Sequence, residues 1–195
     1  MKPKSADRRL RIIGGNWRGR QMSFVDQHDV RPTPNRIRET LFNWLSSLIS
    51  NARCLDLFAG SGILSLEALS RQAKEVTIID QSPRVIELIQ QQLVKFQPHP
   101  RADIWQGDAV DWIRNFQCRD IAPFDIVFVD PPFDSDMIPA ICRLLEQHQV
   151  LCPDASIYIE SKAEVNQQAL PENWQIYRQG KASRVHYCLC KRIIR

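Results

Sequence analysis

The chain has 195 residues, of which 44% are hydrophobic and 25% charged, enough apolar material for one domain with its own core and a small appendage. It has no apolar run long enough to span a bilayer, and its start, MKPKSADRRLR, has no apolar signal-peptide centre, so a cytoplasmic protein without membrane contact is expected. The formal net charge of +4 is unevenly placed: residues 1–40 hold ten Lys and Arg against four Asp and Glu, a balance of +6, while the rest balances to −2, a pattern that suits a polyanion lying across one face.

Residues 1–9 read as disordered. Leu10 to Ile13 read as a short strand, Gly14-Gly15-Asn16 as a turn, and residues 17–24 as the returning strand of a hairpin. Trp17 among Arg11, Arg18 and Arg20 suits RNA contact by stacking and phosphate pairing, or packing of the indole on the main domain. Residues 1–30 are thus expected to be a basic, RNA-contacting extension and residues 31–195 the main domain. A polar connection ends in Arg31-Pro32-Thr33-Pro34, with Thr33 as N-cap and Pro34 as first residue of a helix to about Leu48. Ile37, Leu41, Trp44, Leu45 and Leu48 form its apolar stripe, and Arg36 and Arg38 fall on other faces. The first turn of this helix can reach the cofactor or the target nucleotide, and Arg31 and Arg36 are candidate RNA contacts.

Residues 54–58 are mostly apolar, as in a central parallel strand covered on both faces. They run into Ala59-Gly60-Ser61-Gly62 and a helix over 61–72. The first helical N–H groups have no intrahelical partner, so a ligand site is expected at the carboxyl end of this strand, around Asp56, Phe58, Gly60 and Gly62. The third glycine of a dinucleotide loop is absent, and Asp56 would repel a pyrophosphate. An acid there suits a cationic ligand such as S-adenosylmethionine, which carries an ammonium and a sulfonium. A second strand over 75–80 ends in Asp80, 24 residues after Asp56, where an acid can bind both ribose hydroxyls of a nucleoside. Pro83 opens a helix to Phe96. A third strand over 102–106 leads to Asp108, which can accept from an adenine amine, cap the next helix, or do both.

The fourth strand, over 124–130, delivers Asp130-Pro131-Pro132-Phe133 at its tip. Two prolines fix the backbone and remove its donors. What remains is a carboxylate and the Pro131 carbonyl, two acceptors suited to an exocyclic –NH2 group of a base. Phe133 offers that base a face once it has left its stack. Residues 137–149 form an amphipathic helix and 155–160 a fifth strand. Residues 174–179 and 184–191 form two closing strands around Gly180. The six cysteines include no C-x-x-C pair, so buried thiols are expected rather than a disulfide framework or a metal site.

The sum is an α/β fold: a doubly wound, seven-stranded, mostly parallel Rossmann-like sheet preceded by a small β-hairpin and helix. The stretches RIIGGNWRGR, RPTPNRIRETLFNWL, LDLFAGSGILSLEALSR, VFVDPPF and YIES resemble the RsmD-type family of bacterial 16S rRNA guanine-N2 methyltransferases, of the class I S-adenosylmethionine-dependent fold. That resemblance implies methyl transfer from S-adenosylmethionine to a guanine N2 of 16S rRNA within an assembling small ribosomal subunit; a monomer without a metal is expected. It implies Asp56, Gly60 and Gly62 around the methionine part of the cofactor, Asp80 at its ribose and Asp108 near its adenine. Asp130, Pro131 and Phe133 fall at the target amine and base. Asn35 stands where many relatives carry an acid, and Asp80 replaces a longer Glu. Two other readings are a DNA adenine-N6 or cytosine-N4 methyltransferase and a non-catalytic RNA-binding assembly factor. The first lacks a target-recognition domain, and the intact Asp130-Pro131-Pro132-Phe133 speaks against the second.

Overall fold

The computed structural model describes residues 8–24, 32–96, 101–117, 120–132 and 137–193. An N-terminal hairpin, β1 (Arg8–Arg11) and β2 (Gln21–Phe24), pairs antiparallel, Arg11 opposite Gln21. Helix α1 (Asn35–Trp44) follows. The main sheet is built from β3 (Arg53–Asp56), β4 (Glu75–Asp80), β5 (Arg101–Gln106), β6 (Phe124–Val129), β7 (Leu151–Ser161), β8 (Trp174–Ala182) and β9 (Val185–Arg192). Between its strands run α2 (Ile63–Ser70), α3 (Pro83–Lys95), α4 (Ala109–Arg114) and α5 (Ile138–Gln147).

The strand order is β5-β4-β3-β6-β7-β9-β8. All pairs from β5 to β7 are parallel, and β9 runs antiparallel to both of its neighbours. This is the doubly wound α/β architecture the alternation of elements predicts. Central strands are apolar on both faces because both are covered. Phe128, Tyr158 and Leu189 pack on one side with α1, α2, α3 and the hairpin, and Val127, Val129, Ile157 and Cys188 on the other with α4 and α5. The order reverses between β3 and β6, which opens a crevice at their carboxyl ends.

Helix α2 is buried on every side, so it needs a cover over its outer face. The hairpin supplies it. Ser70 Oγ donates to the Gly14 carbonyl at 2.6 Å and accepts from the Trp17 N–H at 2.9 Å. Glu67 Oε1 accepts from the Ile13 N–H at 2.6 Å and from Arg38 Nη1 at 2.7 Å. Ile12, Trp17 and Met22 lie in the same core as Leu66 and Phe128. The expected division between residues 1–30 and 31–195 is therefore one of charge, and the packing runs across it.

Several boundaries differ from the sequence reading. Residues 15–17 form a 3-10 turn, so the returning strand begins at Gln21; Gly15 and Gly19, both at positive φ, make this wide loop. The expected N-cap Thr33 gives way to Pro34, which has no side-chain cap. In α1 the buried stripe is Ile37, Arg38, Leu41 and Phe42, continued by Leu45. It is rotated from the expected one, leaving Leu48 exposed and Trp44 half-buried. Gly180 lies inside β8, not in the turn, under the Tyr187 ring: a Cβ there would come within 2.6 Å of that ring. The turn falls at Ser183, with φ +56.

Candidate active site and basic surface

Each parallel strand ends in or near a carboxyl group. Along the sheet edge these are Asp108, Asp80, Asp56, Asp130 and Glu160, following β5, β4, β3, β6 and β7. Asp56 is buried, and its Oδ2 accepts from Ser65 Oγ at 2.6 Å. Burial pushes its carboxyl up to about 6, with Asp80 adding to the rise and the bonds from Ser65 and the Phe58 amide opposing it. Asp56 thus ties the loop to α2 and sets the charge beneath it.

Asp80 holds the same loop from the next strand. Its Oδ2 accepts from the Gly60 N–H and its Oδ1 from the Ser82 N–H, both at 2.8 Å. Burial raises its pKa, and the two amides work against that. Each carboxylate oxygen keeps a further lone pair. Gly60 and Gly62 have φ of 51° and 75°, where glycine avoids the strain of a side chain. At Gly62 an added Cβ would meet Ile89 Cγ1 at 2.8 Å, so that glycine makes room for α3, where close approach to a ligand is the sequence expectation. Phe58 is half-buried in the loop. Asp108 caps α4, its Oδ1 accepting from the Val110 and Asp111 amides at 2.8 and 3.1 Å.

Asp130 follows β6 directly, with Pro131 buried and Pro132 exposed. Phe133 and Arg31 lie outside the described residues. Val129 pairs in parallel with Ile159, which sets Asp130 beside Glu160. Strand alternation points both toward the side of Phe128 and Tyr158, where α1 and the residues before it pack. Glu160 is 2% exposed and accepts from the Tyr158 hydroxyl at 2.9 Å. The buried Thr33 side chain acts on both carboxyl groups and holds their pKa values down. Burial is the main cause that raises the pKa of Asp130 well above the carboxylate range, and the charges of Glu160 and Asp56 add to it. Burial pushes Glu160 up to about 7, against the opposing effects of Thr33 and Tyr158.

Thr33, Tyr158 and Glu160 are site residues that sequence reasoning missed. Glu160 stands in the YIES stretch of the resemblance, and the polar end of an apolar strand was its only signal. Thr33 looks like a helix cap by position. Its placement depends on Arg38, which is fully buried and donates from Nε to the Thr33 carbonyl at 3.2 Å, from Nη1 to the Arg11 carbonyl, and from Nη2 to Asn35 Oδ1. Asn35 thus has a structural partner where the sequence suggested no role.

On the outer face, Arg9, Arg11, Arg18, Arg20 and Arg36 are exposed. Trp17 is not available to a base. It is 4% exposed and stacks on Phe96 with ring centroids 5.0 Å apart and planes 21° apart. Of the two roles open to it in the sequence, packing is the one it has. Arg20 covers the same Phe96, its guanidinium carbon 5.7 Å from the ring centroid.

Comparison with known proteins agrees with this geometry. A family model described as conserved hypothetical protein 95 matches residues 10–191. Ribosomal RNA small subunit methyltransferase D of Escherichia coli K12 is 40% identical over 188 residues, 96% of this chain and 92% of that protein. The protein of the same name from Haemophilus influenzae is 37% identical over 181 residues, 92% of each chain. The solved structure of Escherichia coli yhhF superposes with a TM-score of 0.82 at 39% identity, covering 96% of this chain and 99% of that one. A match across nearly the whole length, on the stretches that build both the strand-end acids and the hairpin, decides the assignment: the chain belongs to the RsmD-type methyltransferase family.

Proposed function

We propose that this protein transfers the methyl group of S-adenosylmethionine to the exocyclic N2 of a guanine in 16S rRNA of the small ribosomal subunit. The observation that carries the reading is the placement of Asp130-Pro131 on the strand beside the Asp56 loop, with Asp56 opposite Phe128 in the parallel register. Methyl donor and amine acceptor would therefore meet across one strand spacing. The residues present fit the donor. Asp80 retains free lone pairs for ribose hydroxyls while its amide bonds fix the loop. The buried Asp56 carboxyl favours a cation above it and disfavours a phosphate. S-adenosylmethionine supplies an electrophilic methyl on a sulfonium.

The chain's own groups then act on the base. The Asp130 carboxylate and the Pro131 carbonyl accept the two amine protons, which localises the nitrogen lone pair and points it toward the methyl. Asp108 lies beyond Asp80 on the adenine side. Phe133 is assigned the face of the flipped base from the sequence alone. Arg11, Arg18, Arg20 and Arg36 take the phosphate backbone, with Arg31 beside them in sequence. The names of the relatives support an rRNA substrate.

The test is incubation with labelled S-adenosylmethionine and small subunits that lack the modification, followed by nucleoside mass spectrometry. N2-methylguanosine in 16S rRNA is expected. Methyl-adenine or methyl-cytosine in DNA would move the substrate class, and no transfer at all would leave an RNA-binding factor.

A further inference from the structure

The last two strands carry a cluster that the catalytic site does not use. Strand β8 is the end strand of the sheet. Its register with β9 shifts between Ile176, opposite Cys190, and Arg178, opposite Leu189. Tyr177 is the extra residue of that bulge, and a bulge re-aims the side chains it carries. Here it brings Tyr177 and Arg178, consecutive in sequence, to the same face as Lys191. Lys191 Nζ lies 4.1 Å from the centroid of the Tyr177 ring, and the Arg178 guanidinium carbon lies 5.1 Å from it. Tyr177 is 50% exposed, Arg178 is exposed and Lys191 is half-buried.

We propose that Tyr177, Arg178 and Lys191 form a second RNA-contacting surface, which binds the phosphodiester backbone on the side of the target nucleotide away from the hairpin. The inference rests on the rRNA-methylating reading above. Neither cation has a carboxylate within ion-pair distance among the described residues. Arg192, next to Lys191 in β9, is by contrast held by Glu146 at 2.6 Å. Glu164 accepts from Gln179 Nε2 at 3.1 Å. Two like charges gathered at one ring repel each other in the free protein, and an anion between them offsets that repulsion. The ring holds both cations by attraction to its face, so they are in place before the phosphate arrives.

The placement suits a nucleic acid that spans the site. Leu189 and Tyr187 belong to the core under α1 and the hairpin, and Lys191, two residues beyond Leu189, lies on the same face of β9. Trp44 of α1 packs on Tyr187 with ring centroids 5.6 Å apart, so α1 ends its cover there and the face of β8 is open beyond it. The hairpin lies over α3 on the β4 and β5 side, Trp17 against Phe96. Strand β6, which delivers Asp130, stands between the two. The hairpin arginines and the β8 cluster therefore flank Asp130 from opposite ends of the sheet. Cations and a bulge on an end strand also discourage pairing with another chain. That role needs only charge along the edge; it does not need two cations drawn to one exposed aromatic.

The experiment is equilibrium binding of the full chain to labelled small subunits that lack the modification, over a range of salt concentrations, with S-adenosylmethionine affinity measured by calorimetry in parallel. The double variant Arg178→Ala/Lys191→Ala should bind about fivefold more weakly for each lost contact, the weight of one charge pair in water. Its logarithmic salt slope should fall by about 0.7–0.9 per contact. Arg178→Lys should keep the parent's slope. Tyr177→Leu, which leaves both charges but not their platform, should weaken binding, and Tyr177→Phe should bind like the parent. The loss should add to that from replacing Arg11 and Arg18 by Ala, because the two groups touch different phosphates. Cofactor affinity and the denaturant midpoint should not move. A double variant with the parent's affinity and slope overturns the proposal. So does a change of oligomeric state with RNA affinity intact, which would make this face an interface between copies of the chain. Failure of the parent to bind the subunits overturns the rRNA reading itself, a separate result from a double variant that binds like the parent.

Discussion

Folding removes the carboxyl groups of Asp56 and Glu160 from water and half-buries Asp130 beside them, and their raised pKa values follow from the loss of hydration. The consequence for stability has a definite sign. An unfolded chain releases these protons near the ordinary carboxyl range, whereas the folded chain holds them to about 6 at Asp56 and about 7 at Glu160. Between those limits the folded state binds more protons, so stability falls as pH rises through the folded values. Glu160→Gln removes that charge. It should be more stable than the parent at pH 8, by on the order of 1–3 kcal/mol, and no more stable at pH 5. Denaturant unfolding at both pH values checks this; an equal shift at the two would show that Glu160 does not titrate in the fold. At the cofactor side, Asp80 accepts from the loop amides and is the residue proposed for the ribose. Asp80→Ala should weaken S-adenosylmethionine binding by about 1.5–3 kcal/mol, the range for hydrogen bonds to a charged group. Unchanged affinity by calorimetry would remove Asp80 from the site.

Helix α1 reaches the site through one buried cation. Arg38 bonds with the Thr33 carbonyl ahead of its own helix, the Arg11 carbonyl of β1 and Glu67 of α2. Burial lowers the pKa of Arg38 and raises that of Glu67, so desolvation outweighs attraction at each partner and the pair is worth more as a fixed geometry than as net energy. Removing one partner alone leaves the other charge buried. Glu67→Ala should destabilise the chain by about 3–5 kcal/mol and speed hydrogen exchange at the Ile13 amide, which Glu67 holds at 2.6 Å. Exchange at Ile13 no faster than in the parent would mean that the hairpin is held elsewhere. The same clasp explains where sequence reading stopped. Strands β4 and β6 are contiguous apolar runs, because parallel strands are buried on both faces, and their ends are legible. Arg38 looks like a solvated face, because its partner is 29 residues away on another helix. Trp17 among arginines looks like a stacking platform until Phe96, 79 residues on, covers it. Strand β7 begins at Leu151, earlier than its apolar run, through Pro153 and Asp154 and an irregularity in its register with β6.

Across the whole molecule, the sheet gathers acids at one edge while the hairpin and α1 carry exposed arginines. Asp56, Asp80 and Asp130 could be placed from the sequence because each ends a recognisable strand. Glu160 and Thr33 could not, since their meeting depends on the pairing of β7 with β6 and on the docking of α1. The arginines are expected to act on RNA and not on the cofactor. Replacing Arg11, Arg18 and Arg36 together by Ala should weaken RNA binding and flatten its salt dependence, each lost phosphate contact lowering the logarithmic slope by about 0.7–0.9. S-adenosylmethionine affinity should stay the same. A slope equal to the parent's would place the RNA on another face. The central claim is that the target amine is activated at Asp130, beside the methyl donor. Its most direct measurement is single-turnover methyl transfer by Asp130→Ala at saturating cofactor and RNA, with cofactor affinity measured in parallel. A rate about 10²–10³ below the parent, by analogy with the loss of one positioned group in an oxyanion hole, with cofactor binding retained, is the predicted result. A rate within about threefold of the parent, far short of that loss, would contradict it.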